Sequence, residues 1–291
     1  MSKIIVIVGP TGVGKTAASI HLAHKYNAEI INADSTGVYK EPLIATAKVK
    51  EDEKDGIVHH MLDLVSLDEE FTLYDYQVKG RKILNDLINQ NKNVIIVGGT
   101  GLYIKALLYD YEFKNEEFSS NYDELSNEEI YNIIKENDID IHVNNRKRLV
   151  RALNKVNNNS ITNKNEYKIL YDNVYFVALT LDRSVLYERI NSRVDDMIKE
   201  GLIEEVKGLY DNGKRNIRLN TAIGYKELYK YVDNEISLND AIELIKRNSR
   251  RYAKRQYTWI NNKMNVKWFN VDLNNFDNTV LEVIEYIKNN Q

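Results

Sequence analysis

A short apolar run, Ile4 to Val8, leads directly into Gly9-Pro10-Thr11-Gly12-Val13-Gly14-Lys15-Thr16, and the helix-spaced stretch TAASIHLAHKY follows at once. The pattern G-x-x-x-x-G-K-[ST] between a strand and a helix is a phosphate-binding loop. Its glycines let successive backbone N–H groups converge, and the new helix presents its positive end to the same point. Lys15 adds a point charge for the outer phosphates, and the Thr16 hydroxyl reaches a Mg²⁺. All eight residues, Gly9 to Thr16, are therefore expected to hold a diphosphate or nucleotide, with Mg²⁺ as the cofactor and Thr16 as its protein ligand. A loop of this kind needs a strand on one side and a helix on the other, so the chain is α/β.

Further short apolar runs lie at Glu29–Ala33, Val94–Val97, Val174–Leu181 and Val266–Val271. Between them come helical spacings such as LYDYQVKGRKILNDLINQ, and the steps of four from Leu186 through Ile190, Val194 and Ile198 to Leu202. Strands without polar alternation, separated by helices, form a mainly parallel sheet covered on both faces. The expected fold is a P-loop nucleoside-triphosphate-hydrolase-like core with a five-stranded sheet. Residues 109–172 break the rhythm, being rich in Asn and Glu without a clear strand. Ser126 and Glu129 have capping-box spacing, which marks a helix start. This stretch reads as a small helical insert, with the core at 1–108 and 173–291. The Asn-rich run from Asn154 to Glu166 reads as a loop.

A phosphate loop does not say what the phosphate is for. A hydrolase or switch usually sets an Asp at another strand end to hold the Mg²⁺ water shell. Here the run Val94–Val97 ends in Gly98-Gly99-Thr100-Gly101, with no acid, whereas Glu29–Ala33 ends in Asp34-Ser35. C-terminal strand ends line the ligand crevice of a parallel sheet. Asp34 is therefore a general base, a metal-shell ligand or the cap of the next turn, and spacing alone leaves the three open.

Net charge is −3, which by itself argues against a nucleic-acid partner. Its distribution argues for one. Lys246 to Lys263 holds seven Lys/Arg and no acid, and His142 to Lys155 holds five more and no acid; without those twelve the rest of the chain stands at −15. Localised positive charge on an acidic chain is the footprint of phosphate-backbone contact. Arg247, Arg251 and Arg255 share one helical face, and Arg148 and Arg151 lie in the insert. The chain has no cysteine, so disulfides and a structural zinc site are not expected. His59-His60 is a poor metal pair, because neighbours in extended chain point apart. With no long apolar segment or signal peptide, the expected setting is the cytoplasm, without a membrane partner.

The blocks GPTGVGKT, ADSTGVY, ATAK, HHMLD, VGGTGLY, NNRKRLVRAL, LYERINSRVDDMIKEGLIEEVKGLY, AIGYKEL and RRYAKRQYTWI occur in this order along the chain. As an ordered set they resemble the tRNA dimethylallyltransferases, also called tRNA isopentenyltransferases, of bacterial type. The resemblance implies prenyl transfer: dimethylallyl diphosphate donates its allyl group to N6 of the adenosine 3′ of the anticodon, in tRNAs reading U-starting codons. The loop then holds the leaving diphosphate. Asp34 matches the family's general base, and Thr100 matches a threonine beside the reacting groups. With Lys15 they form the implied catalytic set. Ser35, Thr36 and Gly37 join Asp34 and Thr100 as implied tRNA contacts, together with Thr221, Ala222, Ile223, Gly224, Tyr225 and Lys226. Lys226 faces either diphosphate or RNA. The partners implied are dimethylallyl diphosphate and a tRNA anticodon stem-loop, met by a monomer. Glu41, Ala45 and Val49 stand where the family usually has two glycines and a proline, and the insert is shorter than in many relatives. Three rivals share parts of this pattern: a small-molecule kinase with Arg189 and Arg193 as lid residues, a prenyltransferase of free adenine nucleotides, and a non-enzymatic RNA-binding switch.

Overall fold

The computed structural model describes residues 1–41, 44–46, 48–111, 122–158, 167–214 and 219–290. Contacts divide the chain into a larger unit, Met1–Tyr111 with Ile169–Gln291, and a smaller one, Glu112–Lys168. Tyr109–Tyr111 and Ile169–Asp172, read from sequence as insert, belong to the larger unit; an antiparallel bridge pairs Tyr109 with Ile169.

The larger unit is built on a parallel sheet of six strands: β1 (Ile4–Val8), β2 (Ala28–Asn32), β3 (His59–His60), β4 (Asn93–Val97), β5 (Val174–Thr180) and β6 (Lys267–Asn270). The order is β3-β2-β4-β1-β5-β6. The five-strand expectation is corrected by β3, a two-residue edge strand pairing Ile30 with His59 and Ile31 with His60. Two residues are too few to carry a period, so no hydrophobic signal announced it.

Both faces of the sheet are buried, and side chains alternate between them with a period of two. Ile4, Val6, Val8, Ile31, Val94, Ile96 and Ala178 enter one apolar cluster; Ile5, Ile7, Ile30, Ile95, Val177 and Leu179 enter the other. The first face is covered by α2 (Leu73–Asn89), α3 (Gly101–Leu108), α7 (Leu202–Asp211), α8 (Tyr225–Val232) and much of α9 (Leu238–Lys263). The second is covered by α1 (Lys15–Tyr26) and α10 (Phe276–Asn289). Helix α6 (Arg183–Lys199) gives Leu186 and Ile190 to one cluster and Val194 to the other.

Because β1 lies between β4 and β5, with β2 beyond β4, the C-terminal ends of β1, β4 and β2 are neighbours. That register gathers the phosphate loop, Gly98–Gly101 and Asp34 at one edge of the sheet. Three glycines here answer to space. A Cβ on Gly98 would lie 2.2 Å from the Ala33 backbone, one on Gly99 2.2 Å from Gln256 Nε2, and one on Gly101 1.9 Å from the Trp259 ring.

The smaller unit holds α4 (Asn127–Lys135) and α5 (Arg146–Asn157), packed through Ile130, Ile134, Leu149 and Leu153. The capping box forms: the Ser126 hydroxyl accepts from Glu129 N–H at 3.2 Å, and the Glu129 carboxylate accepts from Ser126 N–H at 2.7 Å. Asn154–Asn157, read as the start of a loop, complete α5 instead, and residues 159–166 lie outside the described residues. No helix among the described residues is long and apolar enough to cross a membrane.

Candidate active site

Gly9, at φ 146°, turns the chain out of β1 where a side chain would strike Leu179 O at 2.7 Å. Gly14, at φ 103°, starts α1 without a side-chain cap, so the first-turn amides are left for a ligand. Two positions of the motif give no amide to this cradle: Pro10 has none, and the Thr11 N–H donates to Gln256 Oε1 at 2.9 Å. The donors therefore run from Gly12 to Thr16. Val13 is buried and contributes backbone alone. Lys15 Nζ donates to Pro10 O at 2.9 Å. Burial lowers the Lys15 ammonium to a pKa of about 8, against the pull of Asp34 in the opposite direction, and Arg193 lowers it further.

The loop opens on two cavities, of about 560 and 470 Å³, that share Thr11, Lys15, Asp34, Thr36, Thr46 and Arg193 as walls. The larger also takes in Gly12, Gly14, Thr16 and Gly37. The second is lined by Ser35, Tyr103, Tyr252 and Arg255, by the apolar Ile190, Val194, Met197 and Ile245, and by Thr221, Ala222, Ile223 and Lys226.

Asp34 stands on the wall common to both. Its Oδ1 accepts from the Thr36 hydroxyl at 2.9 Å and the Thr36 amide at 3.3 Å, which is the turn-capping role. Oδ2 takes no hydrogen bond among the described residues. Asn32 fixes the turn from behind, accepting from Asp34 N–H at 3.1 Å and donating to Asp34 O at 3.0 Å and Met61 O at 3.1 Å. Thr100 precedes α3, yet its hydroxyl makes no capping bond. Instead it accepts from Ser35 N–H at 3.2 Å and bonds Ser35 Oγ at 3.4 Å, so it braces the Asp34 turn; it lines neither cavity. Tyr252, beside Thr100 and Gln256, lines the second cavity, and burial, with Asp34 nearby, pushes its phenol up to about 12.

Two arginines on α6 reach the loop. Arg189 Nε donates to Gly12 O at 3.0 Å, and Arg193 Nη1 to the Thr11 hydroxyl at 3.5 Å. From sequence alone they are expected only as lid residues of a kinase, and their signal is two arginines one helical turn apart. Gln256 and Tyr252 went unremarked, hidden among the charges of the basic run.

The block Thr221–Lys226 divides. Thr221, Ala222, Ile223 and Lys226 line the second cavity, but Tyr225 is fully buried and its hydroxyl donates to Glu205 Oε1 at 2.6 Å. Gly224 holds φ 98° with no room for a Cβ, which would lie 2.6 Å from the Ala45 Cβ. These two are corrected from surface contacts to packing residues. Lys226 Nζ lies 3.6 Å from Glu227 Oε1 and also borders a third cavity beside Arg247. Arg251 and Arg255 are exposed on α9, and Arg148 and Arg151 are exposed on α5 of the smaller unit. In the unusual Glu41–Val49 segment, Glu41 accepts from Leu67 N–H at 2.9 Å, and Lys48 Nζ donates to Tyr39 O at 2.9 Å and Asp63 at 2.5 Å.

Among the described residues no group of three or more His, Cys, Asp or Glu can hold a metal. Thr16, exposed on the cavity wall, fits a Mg²⁺ that keeps most of its waters and arrives with phosphate oxygens.

A family model described as IPP transferase matches residues 37–263. The chain belongs to the IPP transferase family. It is 45% identical to the tRNA dimethylallyltransferase of Anoxybacillus flavithermus over 98% of this chain and 96% of that one, and 42% identical to that of Macrococcus caseolyticus over 100% and 97%. Among solved structures, the tRNA isopentenylpyrophosphate transferase of Bacillus halodurans superposes with a TM-score of 0.78 at 38% identity, covering 99% of this chain and 96% of that one. A eukaryotic dimethylallyltransferase acting on tRNA gives 0.85 at 30% identity, covering 99% and 79%. None of these IPP transferase relatives is named as a kinase, so the kinase alternative gains no support.

Proposed function

We propose that this enzyme moves the dimethylallyl group of dimethylallyl diphosphate to N6 of the adenosine 3′ of the anticodon, in tRNAs reading U-starting codons, with diphosphate released. The observation that carries the reading is Asp34 on the wall between two cavities, one of them the phosphate cradle. Adenine's amino lone pair is delocalised into the ring and is a weak nucleophile until a proton leaves. Asp34 Oδ2 takes that proton as N6 bonds to C1 of the donor and the C1–O bond breaks, its electron pair passing to diphosphate. A placed base contributes roughly 10²–10⁴-fold to such a step.

The leaving charge is met by the amides from Gly12 to Thr16, by Lys15 and by Arg189 and Arg193, all fixed before reaction. Bound through Thr16, Mg²⁺ would neutralise part of the same charge. The adenosine must be splayed from its stacked loop to reach Asp34, and the second cavity offers Tyr103 and Tyr252 as walls. Thr100 acts by holding the Asp34 turn, and Lys226, on the second cavity, faces RNA. The exposed arginines of α9 and α5 are the proposed backbone contacts. A monomer acting in the cytoplasm is part of the same proposal.

The deciding experiment incubates the protein with dimethylallyl diphosphate, Mg²⁺ and unmodified tRNA, followed by nucleoside mass analysis. A gain of one prenyl group on adenosine is expected. Unmodified tRNA, or γ-phosphate loss from ATP in its place, would overturn the proposal.

A further inference from the structure

We propose that Gln256 is a positioning residue of the reaction: by holding the Pro10–Thr11 peptide, it sets where the Lys15 ammonium stands in the cradle. The inference rests on reading the loop as a diphosphate site. Gln256 is 6% exposed and projects from α9. Its carboxamide is used at both ends, Oε1 accepting from Thr11 N–H at 2.9 Å and Nε2 donating to Gly99 O at 3.1 Å.

A trans peptide points its N–H and C=O in opposite directions, and no cis bond occurs here. With the Thr11 N–H turned to Gln256, the Pro10 carbonyl of the same peptide must face the other way, where Lys15 Nζ meets it at 2.9 Å. The second arm is equally constrained, since Gly99 leaves its Cβ space to the carboxamide. Losing the side chain would leave the part-buried Thr11 amide without its acceptor, a state the peptide escapes by rotating. Rotation carries the Pro10 carbonyl, and with it the anchor of Lys15, away from its present place. Gln256 thus acts on the diphosphate through Lys15, while sitting on the same helix as the exposed arginines.

The test is a double-mutant cycle read by binding of radiolabelled inorganic pyrophosphate with Mg²⁺ to wild type, Gln256→Met, Lys15→Ala and the double variant. A coupling of the usual size predicts that Gln256→Met weakens pyrophosphate ~10-fold when Lys15 is present and less than ~2-fold when it is absent. Equal losses in both backgrounds would overturn the proposal and leave Gln256 as packing. Should Gln256→Met not fold, Gly99→Ala presses on the same carboxamide from the other side and is expected to show the same dependence on Lys15; a loss independent of Lys15 again overturns it. Anticodon stem-loop affinity, measured alongside, separates the two readings. Wild type that binds pyrophosphate but no RNA sinks the transferase reading, while the cycle still decides on Gln256.

Discussion

The two oxygens of Asp34 keep different company. Oδ1 is committed to the Thr36 turn, whereas Oδ2 takes no hydrogen bond among the described residues, on a side chain that lines both cavities. Sequence spacing left base, metal ligand and cap as alternatives because all three need an acid at a strand end. The structure shows Asp34 capping the turn with one oxygen; the proposed chemistry falls to the other. Asp34→Ala is expected to reduce prenyl transfer by ~10²–10⁴-fold with tRNA affinity held within a few-fold; lost tRNA binding would reassign the residue. Lys15 offers a pH signature. Its pKa of about 8 makes it cationic below that value, so pyrophosphate affinity is expected to fall as pH rises through 8. The inflection should vanish in Lys15→Met, as read by titration at constant ionic strength. In the ligand-free protein the same depressed pKa works the other way on stability. Between about 8 and the ordinary value of 10.5 the unfolded chain holds more protons, so this group's contribution rises with pH.

At the level of elements, α9 carries two kinds of residue on two faces. Its exposed Arg251 and Arg255 are expected to touch RNA phosphates. Replacing both by Gln should weaken tRNA binding and lower the salt slope by about 0.7–0.9 per lost contact; an unchanged slope would make the arginines a solvated face. Its buried Gln256 and partly buried Trp259 close on the turn after β4. A Cβ at Gly101 would enter the Trp259 ring, so Gly101→Ala is expected to cost ~1–3 kcal/mol by overpacking, seen as a lower urea midpoint. The glycines of GGTG were legible only as a missing acid. Their actual demand comes from a helix more than 150 residues away along the chain, a contact no local pattern encodes. The edge strand β3 escaped for the opposite reason, being too local to show a period, whereas the longer runs of β1, β4 and β5 were readable to within a residue because each fills both apolar clusters.

For the molecule as a whole, the phosphate loop and the alternation of strands and helices were enough to give the fold, since a parallel sheet buried on both faces leaves few other solutions. The lining of the candidate site was legible where a motif or charge run named a residue type: Lys15, Asp34 and Arg255 all line its cavities. It was not legible where role depends on tertiary placement. Tyr225 sits in the same short block as Ile223, yet one turns inward to Glu205 and the other faces the cavity.

The shared wall has a kinetic corollary. Two chambers meeting at Lys15 and Asp34 can hold donor and acceptor together, and a chain without cysteine has no thiolate to carry the prenyl group between visits. Initial rates measured against both substrates should therefore give intersecting rather than parallel reciprocal plots, with neither product leaving until both reactants have arrived.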